Sequence, residues 1–454
     1  MRKYFGTDGI RRIANTELTP DLVYKVAKAG AYVLSKHTDH TPTIFIGRDT
    51  RISGTLIESA MTAGFLSYGA NVKSLGVMPT PAVAYLTRKF GADASVVISA
   101  SHNTFEFNGV KYFSNKGMKI PDELEEEIES IMESGKLEEL TAQNEKIGVA
   151  ENREDLLDEY VYFFRKNFEE DIEELRNPDF KVLIDTANGA TSVVADTVFT
   201  KLGINHKVIN DIPNGININE KCGSTHLEML KEGVVEGGYN IGIAYDGDGD
   251  RCLAVDENGN EIDGDKILAV ISKYLKSKGK LNKDTVVATV MSNLGLNKYA
   301  KENELNFIQT KVGDRYVLEE MLKNGYNLGG EQSGHVICLD YNPTGDGILT
   351  SLMLIRAILE SGKKASEVAG IMKAYPQVLI NAKVSSEKKY DFDKDETIKA
   401  AIAELDKEFN GNGRVLIRAS GTEPLVRVMI EGEDQQYITK KAQEIADLIE
   451  KKLK

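Results

Sequence analysis

Residues 43–100 read TIFIGRDTRISGTLIESAMTAGFLSYGANVKSLGVMPTPAVAYLTRKFGADASVVISA, and their pattern decides the fold class. TIFIG (43–47) is a short apolar run that ends at the loop GRDTRISG, as a buried strand does. Over residues 55–68 apolar side chains recur at Leu56, Ala60, Ala63 and Leu66, which predicts a helix burying that stripe. A second strand follows at 71–75, then the turn GVMPTP, a helix to about Phe90, and a third strand, ASVVISA (94–100). Strands alternating with helices call for a mostly parallel sheet covered by helices.

The same alternation extends outward. From Pro121 to about Phe168 the chain is acidic and helical (PDELEEEIESIMESG), read as a solvated face and linker without chemistry. New α/β segments open at FKVLID (180–185) and near Glu257, the latter with TVVATVM and NFIQT as strands. After about Pro376, QVLINAKVSS, a helix, RVLIRAS, VRVMIEG and a last helix suggest a smaller α+β domain. Four domains are expected, at 1–150, 151–250, 251–368 and 369–454.

At 454 residues with 41% hydrophobic and 28% charged side chains, the composition is that of a globular protein. A net charge of −14 argues against general nucleic-acid binding but leaves room for a local basic pocket. No run reaches the roughly 18 apolar residues of a membrane span, and the polar start MRKYFGTDGIRR does not read as a signal peptide. Cys222, Cys252 and Cys338 are far apart with no CxxC pair, so neither a disulfide framework nor a cysteine zinc site is expected, and the compartment is read as cytoplasmic.

Asp246, Asp248 and Asp250 alternate with glycines in DGDGDR, so their carboxylates can converge on a hard cation such as Mg²⁺ or Ca²⁺. Three carboxylates do not fill an octahedron, and a phosphate oxygen or water must complete it. An EF-hand would match Glu257 at its twelfth position, but Arg251 occupies the glycine position and the flanks IGIAY and CLAVD read as strands. Ser101-His102-Asn103 follows the strand VVISA, where a serine reaches the ligand crevice of an α/β sheet, or simply caps the next helix. His102 and Lys111 are nearby candidates to activate it. Arg418, Ser420, Gly421, Thr422 and Arg427 form a hydroxyl- and guanidinium-rich turn suited to phosphate. GEQSGH (330–335) offers Glu331, Ser333 and His335 to sugar hydroxyls. CGSTH (222–226) and TDGIR (7–11), with Arg48 and Arg51 of GRDTR, read as a polar loop and as scattered cations.

In this order, FGTDGIR, SASHN, DGDGDR, GEQSGH and RASGTEPLVRVMIEG resemble the α-D-phosphohexomutase superfamily over nearly the whole chain. INEKCGSTHLE and TKVGDRYV point within it to a hexosamine phosphate substrate. The resemblance implies a heart-shaped protein of three α/β domains with mixed sheets and a C-terminal α+β domain. It implies that Ser101 carries a phosphoryl group and that Asp246, Asp248 and Asp250 hold one Mg²⁺ together with that phosphoserine. Arg11, Lys111, His102 and Arg251 would surround the reacting phosphoryl group, with Lys111 a candidate acid/base. Glu331, Ser333 and His335 would touch the sugar, and Arg418, Ser420, Gly421, Thr422 and Arg427 the phosphate that does not react. The expected reaction interconverts glucosamine 6-phosphate and glucosamine 1-phosphate through a bisphosphorylated hexose, which also serves as activator. A phosphomannomutase/phosphoglucomutase of broad specificity is the alternative, and a non-catalytic sugar-phosphate binder is a rival of another class. A small-molecule substrate, no nucleic acid, no membrane and a permitted homodimer complete the expectations.

Overall fold

The computed structural model describes residues 3–6, 8–420 and 423–454, which contain four sheets. The first comprises β1 (Ile10–Ile13), β2 (Thr43–Arg48), β3 (Asn71–Val77), β4 (Ala94–Ile98), β5 (Phe107–Ser114) and β6 (Ala150–Asn152), in the order β1-β5-β4-β2-β3-β6. Strands β4, β2, β3 and β6 run parallel, and β5 and β1 are antiparallel additions. The reading of 43–100 is therefore correct in element type and order, in a sheet that is mixed. The helix Gly54–Tyr68 buries Ile57, Met61, Gly64 and Phe65, while Leu56 is 40% exposed, so the buried stripe is not the one expected. The apolar residues of this helix form two adjoining stripes, and periodicity alone does not choose a face. Bulk and fit choose it: a Cβ on Gly64 would lie 2.5 Å from Tyr24 O, so only glycine lets the helix Pro20–Ser35 pack this closely.

The second sheet is β7 (Lys181–Asp185), β8 (Asn205–Ile209), β9 (Ile241–Tyr245), β10 (Cys252–Asp256) and β11 (Glu261–Ile262), in the order β11-β10-β9-β7-β8. Tyr245 pairs with Cys252 in an antiparallel hairpin whose connection is the DGDGDR loop. The flanks are strands, as expected, and the Glu257 carboxylate is engaged by Ser366 N and Oγ at 3.1 and 2.5 Å. A division at 250/251 would cut this hairpin, and the end of the sheet lies at Ile262. The third sheet is β12 (Thr285–Thr289), β13 (Asn306–Thr310), β14 (Leu328–Gly330) and β15 (Val336–Cys338), in the order β13-β12-β14-β15, with residues 331–335 connecting its only antiparallel pair. The fourth, wholly antiparallel, is β16 (Gln377–Lys383), β17 (Gly413–Ala419) and β18 (Leu425–Gly432), in the order β16-β18-β17.

Two compact units result: Met1–Met291 with Leu305–Ile371, and Ser292–Glu304 with Met372–Lys454. The helix Leu294–Glu302 thus belongs with the C-terminal sheet, although its sequence falls inside 251–368. Its first turn explains this. Leu294 N and Asn293 Nδ2 donate to the buried Glu431 carboxylate of β18 at 3.0 and 3.1 Å, satisfying helix-terminal N–H groups. The cysteines are all buried and unpaired. No helix among the described residues is long and apolar enough to cross a membrane.

The acidic stretch after Pro121 differs most from its reading as an inert linker. In the helix Asp122–Glu133, Glu129 is buried and accepts the backbone N–H groups of Lys3, Tyr4 and Phe5 at 2.7, 2.6 and 2.7 Å. One carboxylate therefore fixes the segment that leads into Asp8 and Arg11. Hydrogen bonds to a charged acceptor contribute about 1.5–3 kcal/mol each when their loss leaves a group unsatisfied. Glu129→Ala should expose these amides to fast hydrogen exchange and cost on the order of 3 kcal/mol in denaturant unfolding. Unchanged protection of Tyr4 and Phe5 would contradict this anchoring.

Candidate active site

Beyond the end of β4 the chain turns through Ser99–Asn103. Ser101 is 1% exposed and holds a left-handed backbone conformation, φ 51°, unusual for a residue other than glycine. Its Oγ donates to Asp246 Oδ2 at 2.6 Å, and its N–H donates to Ser99 Oγ at 2.9 Å. The alternative reading of Ser101 as a helix cap is excluded, since β5 follows, not a helix.

Asp246, Asp248 and Asp250 are all buried, and one carboxylate oxygen from each lies within 4.8 Å of the others. Asp248 Oδ2 accepts Thr80 Oγ1 at 2.7 Å and Lys111 Nζ at 2.9 Å, and Asp246 Oδ1 accepts Arg251 N at 3.1 Å. Asp248 Oδ1 and Asp250 Oδ1 are buried without a hydrogen-bond partner among the described residues. Orphaned buried carboxylate oxygens are costly in a folded protein, and hard oxygen donors of this kind fit a small divalent cation. Burial, then the neighbouring charges of Asp250 and Asp248, hold the Asp246 carboxyl well above the usual carboxylate range, a repulsion that such a cation relieves.

Four cations face this cluster. The register Val97↔Lys111 between β4 and β5 brings Lys111 beside the serine turn, where its Nζ lies 3.2 Å from Asp8 and 3.8 Å from Asp250. Burial opposes its charge, but Asp248, Asp8 and Asp250 overcome that and hold the ammonium well above the ordinary lysine value. A lysine so held is a fixed cation and a poor base. Arg11 donates to Asp8 at 2.9 Å and to Asn103 Oδ1 at 3.2 Å. Arg251 Nη1 donates to His102 Nδ1 at 3.1 Å, and that same nitrogen is 3.4 Å from Ser101 Oγ. Lys119, which the sequence reading passed over, pairs with Asp8 and with Asp314 at 2.7 Å. Asp314 belongs to KVGDRYV, so that segment adds a half-buried acid to the site.

The loop 331–335 divides. Glu331 is half-buried and accepts Gly313 N at 3.1 Å, with burial raising its pKa, and Ser333 is exposed. Gln332 Nε2 donates to Asp263 Oδ2 at 3.2 Å. His335, expected at the sugar, is 3% exposed and faces inward, Nδ1 3.6 Å from Asp250 and Nε2 3.5 Å from Asp314. Gly345 N donates to His335 Nε2 at 3.0 Å, which requires a lone pair there and places the ring proton on Nδ1, toward Asp250. That contact opposes the pull of Asp250 and Asp314, which against burial raise the imidazole pKa. In CGSTH, Gly223 N donates to Asp185 Oδ2 at 2.8 Å and His226 is exposed, so the stretch is a structural loop. Arg48 donates to Glu58 at 2.8 Å, whereas Arg51, read as a scattered cation, is 2% exposed and donates Nη2 to the carbonyls of Ser101 and Asn103 in the serine turn.

In the C-terminal unit, Arg418 and Arg427 are direct cross-strand partners on β17 and β18. Like charges opposite one another destabilise a sheet unless an anion joins them. Burial, then Arg427, lowers the Arg418 pKa. Ser420 is buried, its Oγ accepting Glu423 N at 3.2 Å and its carbonyl accepting Lys389 Nζ at 2.9 Å, a further cation that the sequence reading did not single out. Gly421 and Thr422 lie outside the described residues.

Family models described as phosphoglucomutase/phosphomannomutase match four stretches: alpha/beta/alpha domain I at 2–139, II at 158–259, III at 263–375, and the C-terminal domain at 379–448. The chain is 54% identical over 453 residues to the phosphoglucosamine mutase of Acetivibrio thermocellus, covering 100% of both chains. Among solved structures, a phosphoglucomutase/phosphomannomutase family protein from Burkholderia thailandensis superposes with TM-score 0.79 at 20% identity, covering 98% of this chain and 97% of the other. The Aspergillus fumigatus N-acetylphosphoglucosamine mutase, solved with GlcNAc-6P and magnesium, superposes with TM-score 0.70 at 17% identity, covering 99% and 96%. These two distant structures share the fold.

Burial first, then Arg251 and Arg11, lowers the His102 imidazole from 6.5 to about 4, so it is neutral at pH 7. The unfolded chain takes this proton first, so the contribution of His102 to stability is complete above 6.5 and is lost as pH falls through about 4. An NMR titration should find its midpoint near 4, and a midpoint at 6.5 would mean that the arginines do not face the ring.

Proposed function

The chain belongs to the phosphoglucomutase/phosphomannomutase family, and on that premise we propose that it interconverts glucosamine 6-phosphate and glucosamine 1-phosphate. It is an enzyme, a phosphohexomutase, and thus an isomerase acting by phosphoryl transfer. The observation that carries the mechanism is a buried serine hydroxyl bonded to one of three clustered aspartates, two of which keep an orphaned oxygen.

Ser101 carries the phosphoryl group. It passes to the C1 hydroxyl of glucosamine 6-phosphate: the Ser101 Oγ–P bond breaks, a sugar O–P bond forms, and the proton of the sugar hydroxyl ends on the released Ser101 Oγ. The resulting bisphosphate turns around, returns its other phosphoryl group to Ser101, and leaves as glucosamine 1-phosphate. Positioning and charge neutralisation dominate such transfers. Lys111, Arg11 and Arg251 provide fixed positive charge around Ser101. His102 is neutral and 3.4 Å from the serine oxygen, but its Nδ1 accepts Arg251 Nη1, so it lines the serine and leaves no free lone pair on that nitrogen to take a proton. Asp246, Asp248 and Asp250, with a phosphoserine oxygen, would hold one Mg²⁺, which supplies further neutralisation of the transferred group when bound. His335 orients Asp250 through Nδ1–H, and Glu331 and Ser333 remain for the sugar. Arg418, Ser420 and Arg427, together with Gly421 and Thr422, take the phosphate that does not react.

Four domains are proposed, the second extending to Ile262, supported by one sheet in each. Three buried free thiols support a reducing, cytoplasmic setting.

Kinetics on the phosphorylated, Mg²⁺-loaded enzyme test the substrate: kcat/KM should be highest for glucosamine 6-phosphate, and Ser101→Ala should turn over nothing. Preference for mannose or glucose 6-phosphate would favour the alternative specificity. Asp246→Asn tests the metal separately. In chelator it should melt higher than wild type, because repulsion is relieved. In Mg²⁺ it should melt lower, with binding by calorimetry weakened on the order of a hundredfold. Equal Mg²⁺ affinity in both proteins would remove the triad from metal binding.

A further inference from the structure

The left-handed backbone at Ser101 is held by donors that approach its turn from outside. Arg51, buried at the end of the GRDTR loop, spends its whole guanidinium here. Nη2 donates to Ser101 O at 2.9 Å and Asn103 O at 2.8 Å, and Nη1 donates to Phe107 O at 3.0 Å and to Thr104 O. Its Nε donates to Asp49 Oδ2 at 2.8 Å, and the same carboxylate oxygen accepts Ser99 Oγ at 2.6 Å. A second donor comes from the loop after β8. Asn219, also buried and itself left-handed at φ 58°, donates Nδ2 to Ser101 O and Asn103 O, both at 2.8 Å. Two carbonyls are therefore gripped twice, once from the first sheet's side and once from the second's. The DGDGDR loop closes against them: a Cβ on Gly247 would lie 2.6 Å from Ser101 O and 2.8 Å from Asn219 Nδ2.

Every contact that Arg51 and Asn219 make to the turn is to backbone carbonyl oxygen, so neither touches the reacting atoms. Only a planar five-donor fork can reach four carbonyls and a carboxylate at once, which a lysine cannot do. We propose that Arg51 and Asn219 are positioning residues for phosphoryl transfer, fixing the turn so that Ser101 Oγ stays aimed at the aspartate cluster. The inference rests on the reading of Ser101 as the phosphoryl carrier.

The test uses the full-length protein with Mg²⁺, glucosamine 6-phosphate as substrate and glucose 1,6-bisphosphate as phosphoryl donor. Asn219→Gly keeps the left-handed backbone and removes only the amide. Its kcat and its rate of Ser101 phosphorylation, followed by intact mass, should fall on the order of ten- to a hundredfold, as small misplacements of reacting groups do. KM should stay within about twofold, because the substrate contacts are untouched. Arg51→Ala should lose more, with guanidinium in solution restoring part of kcat. A wild type that never acquires phosphate on Ser101 would overturn the carrier reading and this inference with it. A wild type that is phosphorylated, beside an Asn219→Gly that is phosphorylated equally fast or loses only KM, would overturn the inference alone. Should Arg51→Ala not fold, Asn219→Gly decides. If it folds, loss without guanidinium rescue counts against the inference.

Discussion

Three carboxylates and a lysine ammonium share a space closed to water, where any one of them alone would be expelled or neutralised. Lys111 persists among Asp8, Asp248 and Asp250, and Asp250 beside Lys111 and Arg251 with His335 Nδ1 3.6 Å away, whereas Asp246 faces like charge and is met by the Ser101 hydroxyl. This mutual dependence sets what the rest of the unit must do. The β4–β5 register delivers Lys111, the β9–β10 hairpin delivers the aspartates, and the β14–β15 connection delivers His335. Lys119 and Asp314 then continue the alternation of sign outward from Asp8 and His335.

The sequence exposed those parts of this arrangement whose meaning is local. Alternating aspartates and glycines, a serine after an apolar strand, and the strand–helix alternation of 43–100 each carry their signal within a few residues. What stayed hidden depends on partners far along the chain. Glu129 looked like one acid among many in a solvated helix, yet it binds amides about 125 positions earlier. Arg51 looked like a surface cation, and Asn219 went unremarked within INEKCGSTHLE. Their role is to meet the carbonyls of a turn that neither adjoins. His335 shows the same limit in another form: its motif was recognised, but its inward rotamer toward Asp250 and the Gly345 N–H on its ring are legible only in the structure. The Leu56 stripe was misread because the apolar residues of this helix form two adjoining stripes, and the one through Ile57, Met61 and Phe65 is the one that packs.

The C-terminal unit follows a different logic. Its sheet carries two arginines facing each other across a ladder, an arrangement that weakens the protein while it stands alone. The buried Glu431 on the same strand is, by contrast, fully matched, accepting Arg414, Asn293 and the N–H of Leu294. One strand therefore combines a buried, fully matched carboxylate at one end with a half-exposed arginine facing another arginine at the other.

The backbone of Ser101 also decides which amino acids chemistry could have used there. A threonine hydroxyl is as good a phosphate carrier as a serine hydroxyl in solution. At φ 51°, however, a side chain branched at Cβ is crowded against its own backbone far more than an unbranched one. The turn thus filters two chemically equivalent alcohols by shape. A threonine in this place would have to give up either the conformation or the direction of its oxygen, so the main chain itself selects between the two alcohols.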